Sequence, residues 1–151
     1  SKRWVTKCWP LEHLIRLCED LELKDIRVVV TGTQDDLGLA QVLINSLKNT
    51  KIINACGKTG INELAVLIKK CQVFISADSF PLHVASAVGT PFIALFGPTD
   101  WRRHLPPGKN HIVINKELNC APCYKAKCRS KRCMEAISPA EVLEAVEKLL
   151  K

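Results

Sequence analysis

The chain has 151 residues, of which 47% are apolar and 25% charged, and these values are typical of one globular domain with a single core. No apolar run approaches the about 20 residues that a membrane-spanning helix needs. The formal net charge of +7 favours anionic partners such as nucleotide phosphates, nucleic acid or an acidic membrane surface, and does not choose among them.

Helical and strand patterns alternate along the first third of the chain. An amphipathic pattern predicts a helix over residues 11–21, and a β-branched run predicts a strand over residues 26–30. Asp35 or Asp36 is predicted to cap the next helix. That helix is predicted to carry the apolar residues Leu39, Val42, Leu43 and Leu47. A second strand is predicted over residues 51–54.

The alternation continues to the C-terminus. The predicted elements are a helix over 61–71, a strand over 73–75, a helix over 81–88, and strands over 91–96 and 112–114. Gly89 is predicted to end the helix before it, and Ser138 and Glu141 predict a capping box that opens a final helix. Apolar strands between amphipathic helices predict a parallel sheet covered on both faces, in a Rossmann-like, doubly wound α/β fold.

Ligands of such a sheet bind outside the carboxyl ends of its strands. In the segment 76–83 a strand ends, small polar residues follow, and Pro81 starts a helix whose free N–H groups and dipole suit a phosphate. Ser79 is predicted either to donate its hydroxyl to that phosphate or to cap the helix. Asp78 would repel a phosphate, which favours a sugar hydroxyl or the helix N–H groups as its partner. His83 is either a ligand contact or a structural residue.

Motifs of other nucleotide-binding and hydrolytic sites do not occur. The sequence has no G-x-G-x-x-G after a strand, and Gly57-Lys58-Thr59 lacks the preceding glycine of a phosphate loop. These observations disfavour binding of NAD and hydrolysis of nucleotides by a P-loop. A Ser-His-Asp order and an H-E-x-x-H helix are also lacking.

The chain contains eight cysteines, which could indicate a disulfide scaffold. Cys18 and Cys71 lie in apolar helical patterns, where cysteine behaves as a small hydrophobe, and with no export signal in view we expect reduced thiols in a cytosol. Four others form the pattern C-x2-C-x4-C-x4-C, at Cys120, Cys123, Cys128 and Cys133. This segment either binds zinc or is a reduced loop facing a partner domain or the acceptor, and its tight later gaps favour the loop without metal.

Five cations crowd the same segment, and they fit either a solvated loop or a docking patch. They are Lys125, Lys127, Arg129, Lys131 and Arg132.

Several short motifs occur in the order and spacing of one family. They are Lys7-Cys8-Trp9-Pro10, Gly57-Lys58-Thr59 with Glu63-Leu64-Ala65, Asp78-Ser79 with His83, and Phe96-Gly97-Pro98-Thr99. Over nearly its whole length the chain resembles the C-terminal domain of the glycosyltransferase family 9 enzymes, the ADP-heptose:lipopolysaccharide heptosyltransferases.

The resemblance implies the C-terminal half of a two-domain GT-B enzyme that transfers heptose, with inversion, from ADP-heptose to the lipopolysaccharide inner core. Residues 1–151 would form the nucleotide-sugar-binding domain, and an N-terminal domain absent from this chain would bind the acceptor and supply the carboxylate base. We therefore expect the chain alone to bind without turnover. The resemblance implies no cofactor, metal or nucleic acid, and a cytoplasmic location with peripheral contact at the inner membrane.

The resemblance also implies roles for individual residues. Lys7 matches a lysine that neutralises the diphosphate, and its ammonium would stabilise charge on the leaving ADP during catalysis. The other implied substrate-binding residues are Thr6 beside it, Asp36 (or Asp35) at the ribose, Lys58 and Thr59 near the adenine, Asp78 near the sugar, Ser79 at the phosphates, and His83. The family usually has glycine where this chain has Phe80, a side chain that would narrow the approach of a phosphate to the backbone.

A second interpretation comes from a different class of protein. The chain could be a nonenzymatic binding module in which Phe80 blocks the sugar and the basic cysteine segment holds zinc or nucleic acid. Oligonucleotide binding that weakens with salt would support this interpretation. Aromatic residues make up only 5% of the chain, which makes stacking on bases a poor fit.

Overall fold

The computed structural model of this chain describes residues 4–47 and 52–151. Within these ranges the strands are Val29–Val30 (β1), Ile53–Asn54 (β2), Phe74–Ala77 (β3), Phe92–Phe96 (β4) and His111–Asn115 (β5). The α-helices are Leu11–Leu23 (α1), Leu37–Ser46 (α2), Ile61–Lys69 (α3), Phe80–Val88 (α4), Trp101–His104 (α5), Arg132–Glu135 (α6) and Pro139–Leu150 (α7). Two short 3-10 turns, Val5–Lys7 and Gln34–Asp36, precede α1 and α2.

All strand pairs among the described residues are parallel, as predicted. β1 pairs with β2, and β4 lies between β3 and β5, so the carboxyl ends of β3 and β4 are neighbours. β1 is shorter than the predicted strand over 26–30, because its ladder to β2 covers only two residue pairs. Lys51, the first residue of the predicted second strand, lies outside the described residues.

Helices cover both faces of β4, whose five residues are all buried. Phe92, Ala94 and Phe96 belong to a core cluster with residues of α3 and α4. Ile93 and Leu95 belong to the opposite cluster, with residues of α1 and α7. Burying a side chain of this size stabilises the fold by roughly 1.5–3 kcal/mol. The continuous apolar run in the sequence therefore corresponds to a strand buried on both sides.

The predicted helix ends at Gly89 and Ser138 are confirmed. Gly89 has φ +78, a left-handed conformation that suits glycine, and it ends α4. Ser138 N–H donates to Glu141 Oε2 at 2.9 Å while Glu141 N–H donates to Ser138 Oγ at 3.3 Å, so the capping box opens α7.

The apolar residues of α2 are only partly buried. Leu43 and Leu47 are buried, but Leu39 and Val42 are each about half exposed, and Ala40 is buried instead. Ala40, Leu43 and Leu47 follow one another at helical spacing, and α2 contacts α1.

The predicted cap at Asp35 or Asp36 also needs correction. Thr33 is the N-cap of the turn, and its N–H and Oγ1 donate to Asp36 Oδ2 at 2.9 and 2.7 Å. Asp36 is therefore the acidic third residue of a capping box, and its side chain makes no capping bond to α2.

Glu141 gives the fold a predicted dependence on pH. A hydrogen bond from the Lys116 ammonium, with one from the Ser138 N–H, lowers the pKa of Glu141 from 4.5 to about 2. A depressed carboxyl pKa stabilises the fold above the unfolded value, and this contribution is lost as the pH falls from about 4.5 to 2. Because the Glu141 side chain is 40% exposed, we expect a contribution below roughly 1 kcal/mol.

The measurement is urea unfolding of the wild type and of Glu141→Gln, a variant that keeps an oxygen acceptor for the capping box. We expect the wild type to be more stable at pH 7 and the difference to vanish as the pH approaches 2. A difference that does not change with pH would contradict the assignment.

In the part of the chain that the structure describes, no helix is both long and apolar enough to pass through a membrane.

Candidate functional site

Three side chains from distant parts of the chain meet at the carboxyl ends of β3 and β4. Lys7 Nζ donates to Asp78 Oδ2 at 2.6 Å, and Thr99 Oγ1 donates to the same oxygen at 2.7 Å. Lys7 ends a 3-10 turn, Asp78 directly follows β3, and Thr99 lies in the loop after β4. Sequence reasoning predicted roles for Lys7 and Asp78 separately, but it predicted neither their ion pair nor a role for Thr99.

This ion pair is largely buried but remains open on one side. Asp78 is 8% exposed and Thr99 3%, while the Lys7 side chain is 22% exposed. The Lys7 ammonium also lies 4.8 Å from the centroid of the Trp4 ring, a cation–π contact. Both donors, Lys7 Nζ and Thr99 Oγ1, bind Oδ2 of Asp78 rather than Oδ1. The site therefore presents a partly accessible ammonium and a carboxylate oxygen, Oδ1, that these two donors leave open.

The N-terminus of α4 lies next to Asp78. Ser79 is the N-cap residue, but its side chain makes no capping bond, and its hydroxyl lies 2.9 Å from that of Ser76. The predicted alternative of a side-chain cap is therefore wrong. No first-turn N–H of α4 donates to the Ser79 hydroxyl, while the Leu82 N–H donates to the Ser79 carbonyl at 3.1 Å. Phe80 begins the helix with its side chain 56% exposed.

The loops after β1 and β2 contain a second group of predicted substrate-binding residues, apart from those at the ends of β3 and β4. Gly57 N–H donates to Gly32 carbonyl at 2.9 Å, which joins the loop of Asp36 to the loop of Lys58 and Thr59. Gly57 has φ +68, and a side chain there would also collide with Gln34 Oε1 at 2.3 Å from its Cβ.

The remaining predicted residues differ in accessibility. Thr6 is buried, and its hydroxyl donates to the Lys125 carbonyl at 2.7 Å, so it anchors the turn that carries Lys7. His83 and Lys58 are exposed, Thr59 is partly exposed, and the partly exposed Asp36 carboxylate accepts from Thr33.

The sequence of this chain is similar to known proteins. The profile of glycosyltransferase family 9 (heptosyltransferase) matches residues 1–134. The chain belongs to this family. It is 32% identical over 157 aligned residues to lipopolysaccharide heptosyltransferase 3 of Escherichia coli, covering 99% of this chain and 45% of that relative.

Two solved structures share the fold of this family 9 chain. The structure of E. coli ADP-heptose lps heptosyltransferase II has a TM-score of 0.83 at 27% identity, with 96% of this chain and 42% of that protein covered. The glycosyl transferase family 9 from Veillonella parvula DSM 2008 has a TM-score of 0.83 at 28% identity, with 97% and 42% covered. The predicted Rossmann-like α/β fold of a GT-B glycosyltransferase is confirmed. The chain spans less than half the length of these relatives.

The cysteine segment of this family 9 chain packs against the candidate site. Cys123 N–H and Tyr124 N–H both donate to the Pro98 carbonyl, at 3.0 and 2.8 Å. Together with the bond from Thr6 to Lys125, these contacts connect the cysteine segment to the 3-10 turn that contains Lys7 and to the loop that contains Thr99.

The thiols of this chain differ in environment. All eight are free. Burial raises the pKa of Cys18 to about 11, as expected for a cysteine that acts as a hydrophobe, and burial also raises the pKa of Cys133. Hydrogen bonds from the backbone N–H groups of Lys131 and Ser130 lower the pKa of exposed Cys128. In the described ranges, no three residues among His, Cys, Asp and Glu are grouped so that they could hold a metal ion.

A polar cleft of about 430 Å³ opens beside Thr99, between the ends of β4 and β5. Its lining includes Asp100, Trp101, Arg102, Asn115 and Asn119. Sequence reasoning did not single out this cleft, because its polar residues lie in ordinary turn-like segments.

Proposed function

We propose that this chain is the donor-binding part of an inverting heptosyltransferase, which transfers heptose from ADP-heptose to the lipopolysaccharide inner core. The observation that carries the proposal is the partly open Lys7 ammonium beside the N-terminus of α4. An ammonium and free helix N–H groups form a site for a diphosphate. Acceptor binding and the catalytic base are assigned to the part of the relatives that this chain does not match.

The same groups would act on the leaving group. As the sugar–oxygen bond breaks, negative charge grows on the diphosphate, and the preorganised Lys7 ammonium stabilises it more strongly than it stabilises the ground state. Ser79 donates a hydroxyl to the phosphates, and Asp78 Oδ1 accepts from a sugar hydroxyl. His83, on the exposed side of α4, contacts the donor. No cofactor takes part in this proposal.

The second group of loops would recognise the nucleoside. Asp36 would accept hydrogen bonds from the ribose, while Lys58 and Thr59 would lie near the base. The bond between Gly57 and Gly32 supports this assignment, because it holds both loops together at one end of the sheet. Adenine as the base is supported by the E. coli relative, which is named for ADP-heptose.

We also infer a cytoplasmic location with peripheral contact at the inner membrane. Support comes from the five cations between residues 125 and 132, none of which forms an ion pair in the described ranges. Such a cluster is attracted to anionic lipids. Co-sedimentation with vesicles that contain phosphatidylglycerol, at low and high salt, tests this inference.

Calorimetric titration with ADP, UDP and ADP-heptose tests the proposed function. We expect ADP and ADP-heptose to bind and UDP to bind more weakly. Equal affinities for all three ligands would show that the site binds the diphosphate without recognising adenine. If a chain shown to be folded by circular dichroism binds none of them but binds oligonucleotides, the binding-module interpretation replaces the proposal.

A further inference from the structure

We propose that Thr99 is a positioning residue of the donor site, which holds the Asp78 carboxylate while Lys7 turns to the diphosphate. The inference rests on the proposed function, because it concerns how a diphosphate competes for Lys7. It assigns a role to a residue that makes no contact with the reacting atoms.

The geometry places two donors on one oxygen. Lys7 Nζ and Thr99 Oγ1 lie 2.6 and 2.7 Å from Asp78 Oδ2, and Asp78 is 8% exposed. A carboxylate this deeply buried is costly to leave without partners. A diphosphate that binds Lys7 draws the ammonium away from Asp78, so a second donor to the same oxygen lowers the cost of binding.

The loop that carries Thr99 is held rigidly enough for this role. Pro98 carbonyl accepts the two N–H groups of Cys123 and Tyr124. Directly before it, Gly97 packs so closely on Met134 that a Cβ would lie 2.6 Å from Sδ. The two residues before Thr99 are therefore held in place, Thr99 itself is 3% exposed, and its hydroxyl donates to the Asp78 carboxylate.

The test compares ADP affinity in Thr99→Val, which keeps the shape of the side chain and removes its donor, with Thr99→Ser, which keeps the donor. We expect Thr99→Val to raise the Kd for ADP roughly 10-fold, the size of effect of one hydrogen bond to a charged group. Thr99→Ser is expected to bind nearly as tightly as the wild type. In an Asp78→Asn background the carboxylate no longer holds Lys7, so Thr99→Val is expected to change the Kd by less than about 2-fold.

Each alternative outcome is distinct. Unchanged ADP affinity in Thr99→Val would overturn the inference, and so would a loss that Thr99→Ser does not rescue. The same 10-fold loss in the Asp78→Asn background would show that Thr99 does not act through Asp78. If the folded wild type binds no ADP, the proposed function fails, and the role of Thr99 fails with it.

Discussion

Replacing Lys7 with alanine is expected to lower the free energy of unfolding by about 3 kcal/mol and to weaken ADP binding at least 10-fold. The first effect arises because the Asp78 side chain, 9% exposed, loses the ammonium that compensates its charge. The second arises because the diphosphate loses its principal cation. Urea unfolding and calorimetry measure the two effects separately.

A double variant separates these effects. In Lys7→Ala with Asp78→Asn the buried charge is gone, so we expect much of the lost stability to return while ADP affinity stays low. Lys109→Ala, a truncation of an exposed loop lysine, is the control and is expected to change neither quantity. A Lys7→Ala protein as stable as the wild type would show that the ion pair contributes nothing to folding.

Replacing Gly97 with alanine is expected to destabilise the chain by about 2 kcal/mol, within the usual range for overpacking a core. The added Cβ would lie 2.6 Å from Met134 Sδ, 2.9 Å from Met134 Cγ and 3.0 Å from Cys133 Sγ. Both neighbours are buried in the cluster between the sheet and α7. Relief of the collision would shift the loop of Thr99, so a weaker affinity for ADP is expected as well.

Gly38→Ala is the matched control for this substitution. Gly38 lies within α2 and has no atom within 4 Å of an added Cβ. Alanine is there expected to stabilise the chain by roughly 0.5–1 kcal/mol, since it is the better helix former. Thermal unfolding of both variants should give shifts of opposite sign. A Gly97→Ala protein as stable as the wild type would mean that Met134 and Cys133 can repack.

The local parts of the fold could be predicted from the sequence because their causes lie within a few residues. The capping box at Ser138 and the helix end at Gly89 depend on near neighbours, and the buried strand over residues 92–96 is indicated by its own continuous apolar run. The buried residues of α2 could not be read from apolar residues alone, because they depend on contact with another helix: Leu39 and Val42 are apolar yet about half exposed, while Ala40 is buried.

The candidate site could be predicted only in part, for a similar reason. Lys7 and Ser79 were predicted for the phosphates and Asp78 for the sugar, but nothing local indicates that Lys7 pairs with a residue 71 positions away. In the sequence Thr99 resembles an ordinary turn residue. Its hydrogen bond to Asp78 forms because β3 and β4 are adjacent in the sheet, which brings the loops after them together. Thr6 was predicted to bind substrate, yet in the structure it holds Lys125 of the cysteine segment.

Calorimetric comparison of ADP with AMP tests whether the Lys7 ammonium and the N-terminus of α4 bind a diphosphate. The two ligands share the nucleoside and differ in one phosphate. We expect ADP to bind at least 10-fold more tightly than AMP and Lys7→Ala to remove most of this difference. Equal affinities for ADP and AMP in the wild type would contradict this expectation.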